Sequence, residues 1–265
     1  MKKIYLFLLS LVAAATVQAQ ELYVSTEPAS NMPKNSIGLR LTTELPPGDP
    51  FKIRTSPEIM IGASKSLMLH ASGYISNMAQ ARQKLEGFST YAKYRFLSID
   101  SVQRHFRAAV FAKYAYSNNP VSQQDINLEG DNTGVQAGLI ATQLLHKLAL
   151  SGSVSLLERI GDQPLTATNP GRSALAYTFS SGYLIYPKTY TDYSQPNINV
   201  YLEFLGKSTL GQPQSYLEAA PAIQLILNSK FRIDVSKRLE LYGNMSRSTR
   251  NMFLVRLEYN LFNIL

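Results

Sequence analysis

Acids, bases and nucleophilic side chains in this sequence recur two residues apart: Arg256 with Glu258, Lys93 with Arg95, His70 with Ser72. In an extended strand that spacing puts both side chains on one face. The chemistry on offer is therefore that of an ionic wall, which makes salt bridges between strands, holds water and attracts charged solutes. Arg40, Glu218, Asp234 and Arg238 share the parity of Arg256 and Glu258 in runs that become neighbours if the sheet closes on itself, and these six form one candidate network. Arg40 is expected level with Glu258, and Arg238 with Glu218. Lys93, Arg95 and Arg107 form a second, basic constellation, with no acid on the same face of either of their runs. At the periplasmic mouth this patch either attracts entering anions or is neutralised by loop or amino-terminal acids; Glu21 and Glu27 lie in the segment ahead of the first run, with Glu27 expected to make the contact.

Other chemistry finds little support. A hydrolase needs a Ser and a His placed together with an orienting polar group; His70 has Ser72 on its own face, but that spacing along one strand is a common accident, and with His105 on the inward parity and His146 in a turn no catalytic residue is assigned. With no cysteine and no His or carboxylate pair at ligand spacing, no metal is expected. Phosphate-cradling glycine loops are absent, and with them the usual nucleotide cofactors. Basic residues are not interleaved with aromatics, so nucleic acid is not an expected partner.

The elements that must position these residues are strands. The chain has 265 residues with 45% apolar and only 17% charged, below the roughly 25% usual in soluble domains. Residues 1–19 combine a basic start, an apolar run from Ile4 to Ala15 and small residues up to Ala19, and read as a secretory signal peptide. Removing Lys2 and Lys3 from the formal charge of +8 leaves +6. No cysteine follows the apolar run, which excludes a lipid anchor, and no later stretch is long enough for a spanning helix. Residues 20–35 read as a periplasmic amino-terminal segment that folds into or across the mouth of the domain formed by 36–265.

From Ser36 onward apolar and polar residues alternate in twelve runs, at 36–44, 53–63, 66–78, 86–97, 104–117, 132–144, 148–159, 173–186, 196–206, 215–227, 230–243 and 251–262. Short turns alternate with long loops, the even count leaves both termini at the short-turn end, and tyrosines such as Tyr114, Tyr116, Tyr183, Tyr186 and Tyr259 stand near run ends. An all-β, closed antiparallel transmembrane barrel of about twelve strands accounts for all three features. The loops at 117–131 and 161–172 are then extracellular. Pro57 and Pro221 each remove a ladder donor, which predicts a bulge or a later strand start. Lys237 falls on the apolar parity and demands a register change near Ser236 or a reach to the interface.

The segment Ser25 to Leu41, a short polar lead entering the first strand, resembles the start of a group of bacterial outer-membrane proteins. The strand count, leader and loop sorting are similar to the twelve-stranded outer-membrane transporter family named after a phenol-degradation pathway (MetA-type). The closing strand, FLVRLEYNLFNIL, resembles the terminal assembly signal of outer-membrane barrels, although Phe262 is not the last residue. That resemblance implies outer-membrane lipid, the barrel assembly machinery and periplasmic chaperones as partners. The expected function is a small passive channel or transporter for small solutes, with a charged lumen. The alternatives are a sealed barrel with a structural or loop-binding role and, behind it, an outer-membrane hydrolase.

Overall fold

The computed structural model describes residues 23–48, 51–79, 81–102, 104–189 and 194–264. The leader, and Glu21 with it, lies outside them. In chain order the strands are β1 (Ser36–Leu45), β2 (Arg54–Gly62), β3 (Leu67–Ser76), β4 (Lys84–Ser101), β5 (Arg104–Ser117), β6 (Gly134–Leu145), β7 (Leu148–Arg159), β8 (Ser173–Tyr186), β9 (Asn197–Thr209), β10 (Ser215–Leu227), β11 (Phe231–Lys237), β12 (Leu239–Gly243) and β13 (Phe253–Leu261). All pairings are antiparallel. β11 and β12 both lie against β10 and are parts of one stave interrupted at Arg238, so thirteen segments make twelve staves. β13 pairs with β11 on one side and β1 on the other, closing the sheet and removing its edges.

Period-two alternation decides which way each side chain points. On β1 Arg40, Thr42 and Glu44 face in while Leu39 and Leu41 face out; on β10 Glu218, Ala220 and Gln224 face in while Ile223 faces out. The outward residues form an apolar belt suited to lipid, and Tyr114, Tyr116, Tyr183, Tyr186 and Tyr259 stand exposed within it toward strand ends. At the short-turn end, Asn228 and Ser229 both take positive φ (51° and 54°), the geometry of a tight two-residue hairpin. Side chains also seal the sheet at glycines: a Cβ at Gly206 would stand 2.1 Å from the ring of Tyr177, which already covers that position.

The prolines are accommodated differently from the sequence expectation. Pro221 keeps continuous register with Leu202, and no bulge interrupts that pairing. The break falls on the other side: Ala222 pairs with Ser236 and Ala219 with Leu239, so Pro221 faces the interruption at Arg238, where no donor is needed. Pro57 pairs with Leu41 without a bulge and faces outward. Lys237 does point outward, over the Phe253 ring at 4.9 Å, where β13 begins and β1 ends. The connection expected from Gly206 is shorter than drawn, because β9 continues to Thr209.

Candidate permeation pathway

The inward-facing network is built from direct cross-strand neighbours. Arg40 lies between Glu58 and Glu258 in the ladder, and Arg232 and Asp234 lie opposite Glu258 and Arg256. Arg40 Nε donates to Glu258 at 2.8 Å, and its Nη1 donates to Glu58 at 2.9 Å and to Glu27 at 2.8 Å. Arg232 donates to Asp234 at 2.9 Å and approaches Glu258 at 3.4 Å. Higher in the lumen, Arg238 Nε donates to Glu218 at 2.7 Å, and Arg247 donates to the other oxygen of Glu218 at 2.6 Å while also bonding Glu240. The Arg247 guanidinium lies 3.8 Å from the centre of the Tyr216 ring. Arg256 stands apart: its Nε donates to Thr42 Oγ1 at 3.1 Å, and no carboxylate lies within salt-bridge distance among the described residues.

Of the three basic residues, Lys93 and Arg107 both turn to the amino-terminal segment. Lys93 Nζ donates to the carbonyls of Pro28 and Ser30 at 2.7 and 2.8 Å and is 3.7 Å from Glu27. Arg107 donates to Ser30 Oγ at 2.9 Å and to Asp100 at 3.2 Å. Arg95 instead reaches the Lys65 carbonyl at the β2–β3 turn, 2.8 Å away. The expectation of no acid on these strands is corrected here. β4 does not turn at Ser98 but runs to Ser101, and a register shift at Phe96 brings Asp100 to the face of Arg107 and His105.

Residues 23–31 lie inside the barrel. Val24 and Ala29 are fully buried, and Tyr23 and Val24 cluster with Leu144, Ala149, Tyr201, Ala222 and Leu254 on the inner wall. A single carboxylate anchors the segment: Glu203 accepts from the backbone of Val24 (3.0 Å) and Ser25 (2.7 Å) and from Thr26 Oγ1 (2.8 Å). Ala29 N donates to Thr142 Oγ1 at 2.9 Å. Burial acts to raise the Glu27 carboxyl, but the Arg40 and Lys93 charges beside it hold it well below the usual carboxylate range.

The outer half is filled by the loop between β5 and β6. Ile126 and Leu128 pack on the inward-facing Ala115, Leu157 and Ala174. Lys207 holds Asp125 at 2.7 Å and the Ile126 carbonyl at 2.6 Å; Lys113 approaches Glu129 at 3.5 Å; and Arg54, fully buried, gathers Asp131, Glu86 at 3.2 Å and Glu44 at 3.7 Å. Lys113 holds the Glu129 carboxyl below its ordinary value. Between this loop and the amino-terminal segment lies a cavity of about 100 Å³, and beside the loop another of about 150 Å³.

Sequence reasoning passed over Glu44, Arg54, Glu58, Lys113, Glu203, Lys207 and Arg232, although each carries the inward parity of its strand and was open to the same test; Glu86 was not, because it lies on the outward parity of β4 and is turned in by a register shift against β3. Asp125, Glu129 and Asp131 carry no such signal, because a loop has no period. His70 and Ser72 do share a face, but Ser72 Oγ donates to Glu58 at 2.7 Å, and His70 Nδ1 lies 3.3 Å from the same carboxylate with its ring 4.8 Å from that of Tyr91. Ser72 and His70 thus meet at Glu58 rather than with each other.

Neither a family model nor a curated protein matches the chain. Solved structures do. An outer membrane channel from Pseudomonas putida F1 is 11% identical, with 90% of this chain and 99% of that one covered and a TM-score of 0.52. The KdgM porin is 14% identical over 84% and 98%, with a TM-score of 0.49, and the outer membrane phospholipase A from Escherichia coli is 8% identical over 94% and 96%, at 0.44. At these identities the likeness is one of fold. The first of these structures and the apolar outer belt agree on one fold, the closed β-barrel of outer-membrane proteins.

Proposed function

We propose that the protein is a passive outer-membrane channel for small solutes, whose charged lumen is narrowed from both ends by its own chain. The observation that carries this reading is the kind of contact holding the two inserted segments. Residues 23–31 and the β5–β6 loop are fastened largely by ion pairs and hydrogen bonds to an ionisable wall, contacts that water can replace. A barrel sealed for purely structural reasons is better served by an apolar core, whose contacts water does not compete for. The basic residues Lys93 and Arg107 and the network from Arg40 to Glu258 are read as the walls of the path, and Glu27 as the plug's contact with them.

Kinship with the phenol-degradation transporter family belongs to this proposal, resting on Ser25 to Leu41 and the strand plan. So do delivery by periplasmic chaperones and insertion by the barrel assembly machinery, for which β13 supplies the terminal alternating strand. The filled lumen favours the second reading, a closed barrel that binds through its outer loops. Planar-bilayer recordings separate the two. Discrete conductance steps from the folded protein are expected, and silence from the full chain and from a variant lacking residues 23–31 would overturn the channel reading.

A further inference from the structure

We infer that the cavity between the two inserted segments is a binding site for a small monocarboxylate, with Arg256 as its anion-holding residue. The inference deepens the channel reading, on which its transport meaning rests. The cavity is lined by Arg40, Lys113, Arg238 and Arg256 and by Glu44, Glu58 and Glu129. Three of the cations are already matched: Arg40 by Glu27, Glu58 and Glu258, Arg238 by Glu218, Lys113 by Glu129. Arg256 is not. Its ladder neighbours are Thr42, which accepts from its Nε, and Asp234, which accepts from Arg232 through Oδ2, leaves Oδ1 without a hydrogen-bond partner and makes no salt bridge to Arg256. A guanidinium presents a planar fork to a carboxylate, and this one lines the cavity with only its Nε hydrogen-bonded among the described residues.

A second observation points to the same ligand. The Ser25 hydroxyl, carried into the cavity by the amino-terminal segment, is buried without a hydrogen-bond partner. It suits a hydroxyl or a carboxylate oxygen of a ligand held by Arg256. Size and charge narrow the class. An apolar cavity of about 150 Å³ accepts benzene, so this one of about 100 Å³ takes four or five heavy atoms, the size of acetate or glycolate. Glu44, Glu58 and Glu129 on the same walls repel a second negative charge, which selects a monoanion over sulfate or phosphate.

The test is the thermal unfolding midpoint of the detergent-refolded full chain at pH 7.5, titrated with sodium acetate or glycolate. Sodium chloride at matched ionic strength and acetamide, the neutral isostere, serve as controls. Saturable stabilisation by acetate and glycolate beyond that of chloride is expected, with none from acetamide. Arg256→Gln should weaken apparent affinity roughly tenfold or more, as loss of charge-assisted hydrogen bonds implies, whereas Arg256→Lys should keep part of it. Ser25→Ala should weaken glycolate binding in an otherwise folded barrel. No shift beyond chloride in the wild type would mean the cavity holds water only, and an unchanged shift in Arg256→Gln would place any binding elsewhere; either overturns the site. Tighter binding of sulfate than of acetate would overturn the monocarboxylate assignment. The readout needs no conductance: silent bilayers from both the full chain and the variant lacking residues 23–31, beside saturable stabilisation, sink the channel reading and leave the site, and conductance without stabilisation sinks the site alone.

Discussion

Single charges decide how firmly the lumen is filled. Glu203 has no cationic neighbour within salt-bridge distance among the described residues and is satisfied instead by two backbone N–H groups and the Thr26 hydroxyl. Glu203→Gln removes the charge from those bonds, and at about 1.5 to 3 kcal/mol for a hydrogen bond to a charged group the docked segment should loosen measurably. A single cysteine introduced at Ser30, in a chain with none of its own, should label faster with a maleimide in that variant than in the wild-type background. Glu27 fixes how docking depends on pH. Its carboxyl is depressed by Arg40 and Lys93, so its contribution is fully present above the unfolded value near 4.3 and is lost only as pH falls through the lower docked value. Glu27 itself should therefore add no pH dependence to labelling at Ser30 between pH 7 and pH 5.5, once corrected for thiol ionisation, whereas Glu27→Gln should lower protection across that range. Arg40, Glu258, Arg238 and Glu218 were legible because strand parity and height suffice to pair residues on adjacent staves. Asp100 was missed for two reasons: a turn at Ser98 makes it a loop residue, and strict alternation from Lys93 and Arg95 puts it on the outer face, which only the register shift at Phe96 reverses.

Strands were the most readable part of the chain, since alternation of apolar and polar residues is imposed at every position between lipid on one side and an ionic interior on the other. Their irregularities were not. Pro221 removes a donor, but the sequence does not say which neighbour adapts; the structure puts the gap in the facing stave, at Arg238, and leaves β10 regular. Alternation carries across the interruption, with Lys237 pointing out and Arg238 pointing in to Glu218. Because Lys237 sits level with the end of β1 and over Phe253, its position should cost little: Lys237→Leu should change the free energy of folding into lipid vesicles by less than about 1 kcal/mol. Ile223→Lys, outward near the middle of β10, should cost about 2 to 4 kcal/mol by the usual penalty for a lipid-facing Lys at the midplane. Equilibrium urea titrations into vesicles read both, and a gain from Lys237→Leu as large as the loss from Ile223→Lys would contradict the depth assigned to Lys237.

At the scale of the molecule the barrel is a container whose contents come from its own chain, and the two insertions enter from opposite ends. Residues 23–31 hang on Glu203, Lys93 and Thr142, whereas the β5–β6 loop hangs on Lys207, Lys113 and Arg54. The two sets of anchors share no residue, so the insertions should release independently. Two obstructions along one path behave as resistances in series, and the larger dominates. Deleting residues 23–31 alone should then raise single-channel conductance only modestly, because the loop still narrows the path. Replacing 122–130 by an Asn-Gly turn alone should do the same from the other side. Both changes together should raise it by more than the two single gains combined, with the barrel still running faster on a denaturing gel before boiling than after, as a sheet without edges should. If the amino-terminal deletion alone reaches the conductance of the double variant, the loop does not obstruct the path, and its packing on Ala115, Leu157 and Ala174 serves only to brace the outer wall.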